Sequence, residues 1–118
     1  MRFLVVDNNP TYRDSISKWS ESSENYFDVV SDGVEAIEKL DEFSYDFVLC
    51  ALYMPKMSGY KLHHIITEKY SAIPIIVSDD FNCFGINCPI ISRKYEKPTE
   101  KYSFIKMIDD IIKRTHKT

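Results

Sequence analysis

The sequence predicts one α/β domain whose parallel sheet is covered by helices on both faces. The first observation is a set of three short apolar runs: Phe3-Leu4-Val5-Val6, Phe47-Val48-Leu49-Cys50-Ala51 and Ile73-Pro74-Ile75-Ile76-Val77. They are too short for helices, and their apolarity is continuous rather than alternating, as in strands buried on both sides. The second is that helical periodicity returns between them, so strand and helix alternate along the chain. The third is length: 118 residues suit a single core, and two cores of half that size would each be marginal.

Each element follows from its residues. The first, third and fourth strands are the apolar runs, and their richness marks them as central. Phe27-Asp28-Val29-Val30 is poorer and reads as an edge strand, and Ile90-Ile91 opens a fifth. Tyr12, Ile16 and Trp19 define the face of a first helix, and Val34, Ile37 and Leu40 that of a second. Leu62, Ile65 and Ile66 mark a third helix. Ile105, Ile108, Ile111 and Ile112 mark the last, which begins after Pro98 with Thr99 as its cap. Only eleven residues, Asp79 to Pro89, lie between the fourth and fifth strands, and Gly85 and Pro89 suit a loop. The helix expected there is therefore shortened or missing.

Composition excludes several functions. Fifteen basic and eighteen acidic residues give a formal charge of −3, which lacks the basic excess that a nucleic-acid surface needs. Lys113, Arg114 and Lys117 are read as complements to a helix dipole. No apolar run approaches the ~20 residues of a membrane span, and Met1-Arg2-Phe3-Leu4 begins a strand rather than a signal peptide. Three cysteines without a disulfide-type framework fit a reducing compartment, so a cytoplasmic location is expected, with no nucleic acid and no membrane as partner. Cys83 and Cys88 lack the second pair of a zinc signature, and His63 and His64 diverge by about 100° on a helix, so neither pair holds a metal.

In such sheets functional groups gather at the carboxyl ends of the strands. Here those ends are Asp7-Asn8-Asn9-Pro10, Ala51 with the loop Leu52-Tyr53-Met54-Pro55-Lys56-Met57-Ser58-Gly59, Ser78-Asp79-Asp80, and Lys97-Pro98. With Ser31-Asp32-Gly33-Val34-Glu35-Ala36 and Tyr45-Asp46-Phe47-Val48-Leu49, these motifs resemble the response-regulator receiver family, in order, from residue 2 to about residue 114. The resemblance implies a flavodoxin-like receiver fold, a doubly wound five-stranded parallel sheet in the order 2-1-3-4-5, with a cis bond between Lys97 and Pro98.

Family members accept a phosphoryl group on an aspartate at the end of the third strand, aided by a divalent ion, a hydroxyl and a lysine. Counting back from Met54-Pro55, that position is Ala51, and a methyl group has no lone pair for covalent catalysis. The second acid of the family's opening aligns with Asn8, which leaves Asp7 as the one carboxylate of a site that would want several for magnesium. No metal, no cofactor and no enzymatic activity are therefore expected. Ser78 and Lys97 match the family's hydroxyl and lysine, and a structural Asp7–Lys97 ion pair is preferred over a retained phosphate cradle, because a buried lysine demands an anion. Asp79 would repel phosphate, and Tyr53 is expected to plug the emptied pocket.

The family's switching aromatic falls at Lys94, with Tyr95 on the opposite face of the strand. Phe81, Phe84 and Ile86, with Lys94 and Tyr95, are either cover for the sheet or a docking surface. The expected function is that of a non-phosphorylated receiver in two-component signalling. Its partner would be a histidine kinase, another receiver, an effector or a second copy of the chain. The alternative is a switch regulator phosphorylated at an unconventional hydroxyl: Ser58, Tyr53 or Ser78.

Overall fold

A computed structural model describes residues 1–78 and 94–115, with the backbone alone at Lys94. The strands are β1 (Arg2–Val6), β2 (Tyr26–Val30), β3 (Phe47–Cys50), β4 (Ile73–Ser78) and β5 (Lys94–Glu96). The helices are α1 (Pro10–Trp19), α2 (Gly33–Glu42), α3 (Gly59–Lys69) and α4 (Lys101–Thr115). All strand pairs are parallel, in the order β2-β1-β3-β4-β5 that the motifs imply. The segment expected to carry a shortened or missing helix, and Ile90-Ile91, lie outside the described residues.

Alternation along the central strands sorts the core into two layers. Leu4, Val6, Val48, Cys50 and Ile76 pack with Ala36 and Leu40 of α2 and Leu62 and Ile66 of α3. Phe3, Val5, Phe47, Leu49, Ile75 and Val77 pack on the other face with Tyr12 and Ile16 of α1 and Phe104, Met107, Ile108 and Ile111 of α4. Continuous apolarity in these strands is thus the signature of a sheet with two covered faces.

Three phenylalanines share one register position across β2, β1 and β3. The Phe3 ring stacks on Phe27 at 4.8 Å and on Phe47 at 5.0 Å. Phe104 of α4 closes the cluster at 5.4 Å from Phe27. Such pairs contribute about 0.5–1.5 kcal/mol each beyond area burial, and they dock α4 onto the sheet.

Several local expectations need correction. Val34 is 45% exposed and Ile105 43% exposed, whereas Ala36, Phe104 and Met107 are buried in their place. The cause is geometric: steps of three residues turn 300°, so a face traced in threes lags by about 60° at each step. The buried faces follow mixed steps of three and four, Gly33-Ala36-Leu40 and Phe104-Met107-Ile108-Ile111. α4 starts at Lys101, two residues after Thr99. The Ser103 hydroxyl accepts from the N–H of Glu100, which serves the helix start that Thr99 was expected to cap. No peptide bond among the described residues is cis, so Lys97–Pro98 is trans, the isomer favoured by about 0.5–1 kcal/mol before proline.

Candidate functional site at the carboxyl ends of the strands

β1 delivers Asp7 to the rim, where it is 2% exposed. Its N–H donates to the carbonyl of Val30 at 3.1 Å, which holds it between β1 and β2. One carboxylate oxygen, Oδ1, accepts from the N–H of Asn9 at 2.9 Å. The other, Oδ2, faces the Lys97 ammonium at 2.9 Å. The Asp7 carbonyl accepts from Arg13 Nη1 at 2.8 Å. Asn9 in turn caps α1, its Oδ1 accepting from the N–H groups of Thr11 and Tyr12. Asp7 and Asn9, on either side of the turn from strand to helix, are therefore held by hydrogen bonds.

Lys97 follows β5, and its N–H donates to the carbonyl of Ser78 at 2.8 Å, which carries the strand pairing one residue further. Its side chain is 16% exposed and its ammonium lies 4.6 Å from the centre of the Tyr12 ring. A half-buried ammonium is thus met by a carboxylate and by an aromatic face. Burial, and then the charge of Asp7, push the Tyr12 hydroxyl above the usual phenol range.

Ala51 stands directly after β3, with its N–H donating to the carbonyl of Val6 at 3.0 Å, and is 7% exposed. The loop that follows returns sharply, since the Gly59 N–H donates to the carbonyl of Leu52 at 2.8 Å. A Cβ at Gly59 would stand 2.2 Å from the Ala51 carbonyl oxygen, so this approach requires glycine. Lys56 adopts φ 70°, and its ammonium reaches Asp32 at 3.5 Å. Met57 lies over Gly33, where a Cβ would come 2.7 Å from its sulfur. The loop is in this way seated on the start of α2, and Ser58 caps α3 by accepting from the Lys61 N–H.

These groups enclose a polar cavity of about 220 Å³, lined by Asp7, Asn8, Asn9, Ala51, Leu52, Tyr53, Val77, Ser78 and Lys97. Ser78 is buried and Asn8 exposed. Tyr53, expected as the plug, is 66% exposed and borders the cavity. Leu52, between Ala51 and Tyr53, is part of the core and 1% exposed. Asp79, Phe81, Phe84 and Ile86, with Cys83 and Cys88, lie outside the described residues, as does the side chain of Lys94. Tyr95 is half-buried against the α1/α4 layer, and its hydroxyl donates to Asp110 of α4 at 2.6 Å. Asp110 also pairs with Arg114 at 3.1 Å.

Sequence reasoning missed three contributors to the site: Tyr12 beneath Lys97, Arg13 on the Asp7 carbonyl, and Asn9 as helix cap. Asn9-Pro10 before an apolar face was a legible signal for the last; the others need the fold. Among the described residues no group of three His, Cys, Asp or Glu side chains is arranged to hold a metal ion. No helix among them is long and apolar enough to cross a membrane.

Comparison with known proteins agrees with this geometry. Regulator of RpoS from Escherichia coli (strain K12) is 30% identical over 76 residues, 64% of this chain but 23% of the relative, so the chain spans about a quarter of that protein. The signal receiver domain of an HD domain-containing protein from Pseudomonas fluorescens Pf-5 superimposes with a TM-score of 0.81 at 21% identity, covering 98% of this chain and 96% of its own. The chemotaxis response regulator CheY4 of Vibrio cholerae gives 0.81 at 16% identity, covering 93% and 97%. Residues 3–80 match the family described as the response regulator receiver domain, and the chain belongs to that family.

Proposed function

We propose that this receiver domain takes no phosphoryl group on aspartate and signals through protein–protein contact. One observation carries the reading: at the carboxyl end of β3, beside Ser78 and Lys97, the chain presents the Ala51 methyl. The Lys97 ammonium is already committed to Asp7, and a single paired carboxylate is a weak offer to magnesium. The domain's partner is then a signalling protein, such as a histidine kinase, another receiver or an effector, bound in one constitutive conformation. Tyr95 supports this last point, because its hydroxyl is tied to Asp110.

Modification of a hydroxyl is the competing reading. Ser58 is engaged as the cap of α3 and Ser78 is buried, which leaves the exposed Tyr53 as its best candidate. An amide NMR spectrum of the chain, recorded with and without magnesium and acetyl phosphate, tests the proposal. The proposal expects superimposable spectra; shifts spreading from Ala51 into β4 and β5 would contradict it.

A further inference from the structure

The loop between β3 and α3 is fixed at its ends, where the Gly59 N–H meets the Leu52 carbonyl and Ser58 caps α3. Its middle is tied to the start of α2 by Lys56 and Met57. Lys56 stands at φ 70°, a left-handed conformation that is unfavourable for a residue with a Cβ. Its ammonium reaches Asp32 at 3.5 Å, but the lysine side chain is 66% exposed, so solvent and salt screen the pair.

Met57 is the closer hold. A Cβ on Gly33 would stand 2.7 Å from Met57 Sδ, 3.0 Å from its Cβ and 3.2 Å from its Cγ. The side chain therefore runs along the bare Cα of the first residue of α2. Met57 is half-buried, packed against the α2/α3 core layer and partly open to solvent. Met107, in the other layer, is 6% exposed. A thioether is soft and oxidisable, and its sulfoxide is polar where the parent side chain is apolar. Contact this close leaves no room for an oxygen between the sulfur and Gly33. A sulfoxide must turn outward and give up the contact.

We propose that Met57 is an oxidation site whose sulfoxide releases the loop from α2. The co-reactant is a hydroperoxide. A sulfur lone pair attacks its terminal oxygen, and the S–O bond forms as the O–O bond breaks. The displaced oxygen takes the proton and leaves as water or an alcohol. Sulfur loses two electrons and the peroxide gains them. The freed loop carries the exposed Tyr53 and borders Ala51, so oxidation changes the surface that this rim offers a partner. The inference holds whether or not the rim accepts a phosphoryl group.

The test treats the full chain with dilute hydrogen peroxide, locates the added oxygen by peptide mass spectrometry, and follows hydrogen exchange. Met57 should convert ahead of Met107. Exchange in residues 52–58 should then quicken at least about tenfold while β1 and β3 keep their protection. Met57→Leu retains an apolar side chain of similar size without sulfur, so peroxide should leave its loop unchanged. Every other methionine and cysteine is common to both chains, which removes their oxidation from the comparison. Met57→Gln should loosen the loop with no peroxide at all.

Unaltered loop protection after Met57 has been converted would overturn the inference. So would equal loosening in peroxide-treated, folded Met57→Leu, or a Met57 that stays intact while Met107 is oxidised. The first comparison uses the original chain before and after treatment and needs no variant to fold.

Discussion

Asp7 and Lys97 show how much chemistry depends on which neighbours a residue keeps. Each is nearly enclosed, and each makes the other tolerable. Removing the cation alone strands a buried carboxylate, so Lys97→Met should destabilise the fold by about 3–5 kcal/mol in urea unfolding. The double substitution Asp7→Asn with Lys97→Met should recover much of that loss, because no unpaired charge then remains. The pairing was legible from residue type, since an enclosed lysine needs an anion and Asp7 was the acid at hand. The position of Ala51 was legible from its spacing to Met54-Pro55. The exposure of Tyr53 was not, because the direction of a loop side chain is set by the turn, and here Leu52 is the buried neighbour.

At the scale of elements, the entry to α2 is the most fully specified. Asp32 Oδ1 accepts from the Glu35 N–H at 2.9 Å, and Glu35 returns the favour by accepting from the hydroxyl and N–H of Ser31. The Glu35 N–H first, and then Lys56, hold the Asp32 carboxyl below the usual carboxylate range. Asp32→Ala should therefore cost about 1 kcal/mol. Because the folded-state value is depressed, this contribution is present above the unfolded value near pH 4 and is lost as pH falls through the lower, folded one. Comparing original and variant stability at neutral and acidic pH checks it: the gap between them should close in acid. Strand identities were legible because burial on both faces leaves continuous apolar runs. The helix faces were legible only in part, since a short helix fits more than one trace of threes and fours. Tyr45–Asp28, Tyr70–Asp41 and Tyr95–Asp110 join neighbouring elements through hydroxyls, and no local pattern announces such pairings.

For the whole molecule, two core layers and a phenylalanine ladder hold the sheet, yet one polar group sits uneasily among them. His63 of α3 is 7% exposed, and its Nδ1 has no hydrogen-bond partner among the described residues. Burial, and then the charge of neighbouring His64, lower its basicity. The folded protein thus binds a proton at His63 less readily than the unfolded chain, which takes one up near pH 6.5, so stability should fall as pH drops below about 6.5. Urea midpoints across that range should show the decline, and His63→Leu should flatten it. His64, exposed on the next position, explains why the adjacent pair could not be ranked by sequence alone. The sheet order came from the motifs rather than from physical pattern, which fixes strands as central or edge but not their sequence across the sheet.

The proposed reading has the Ala51 methyl standing where a receiver would accept a phosphoryl group. Intact-mass measurement of the chain after incubation with acetyl phosphate and magnesium tests it most directly. An unchanged mass is expected. Gain of one phosphoryl group, mapped by peptide sequencing to an aspartate at this rim, would contradict it.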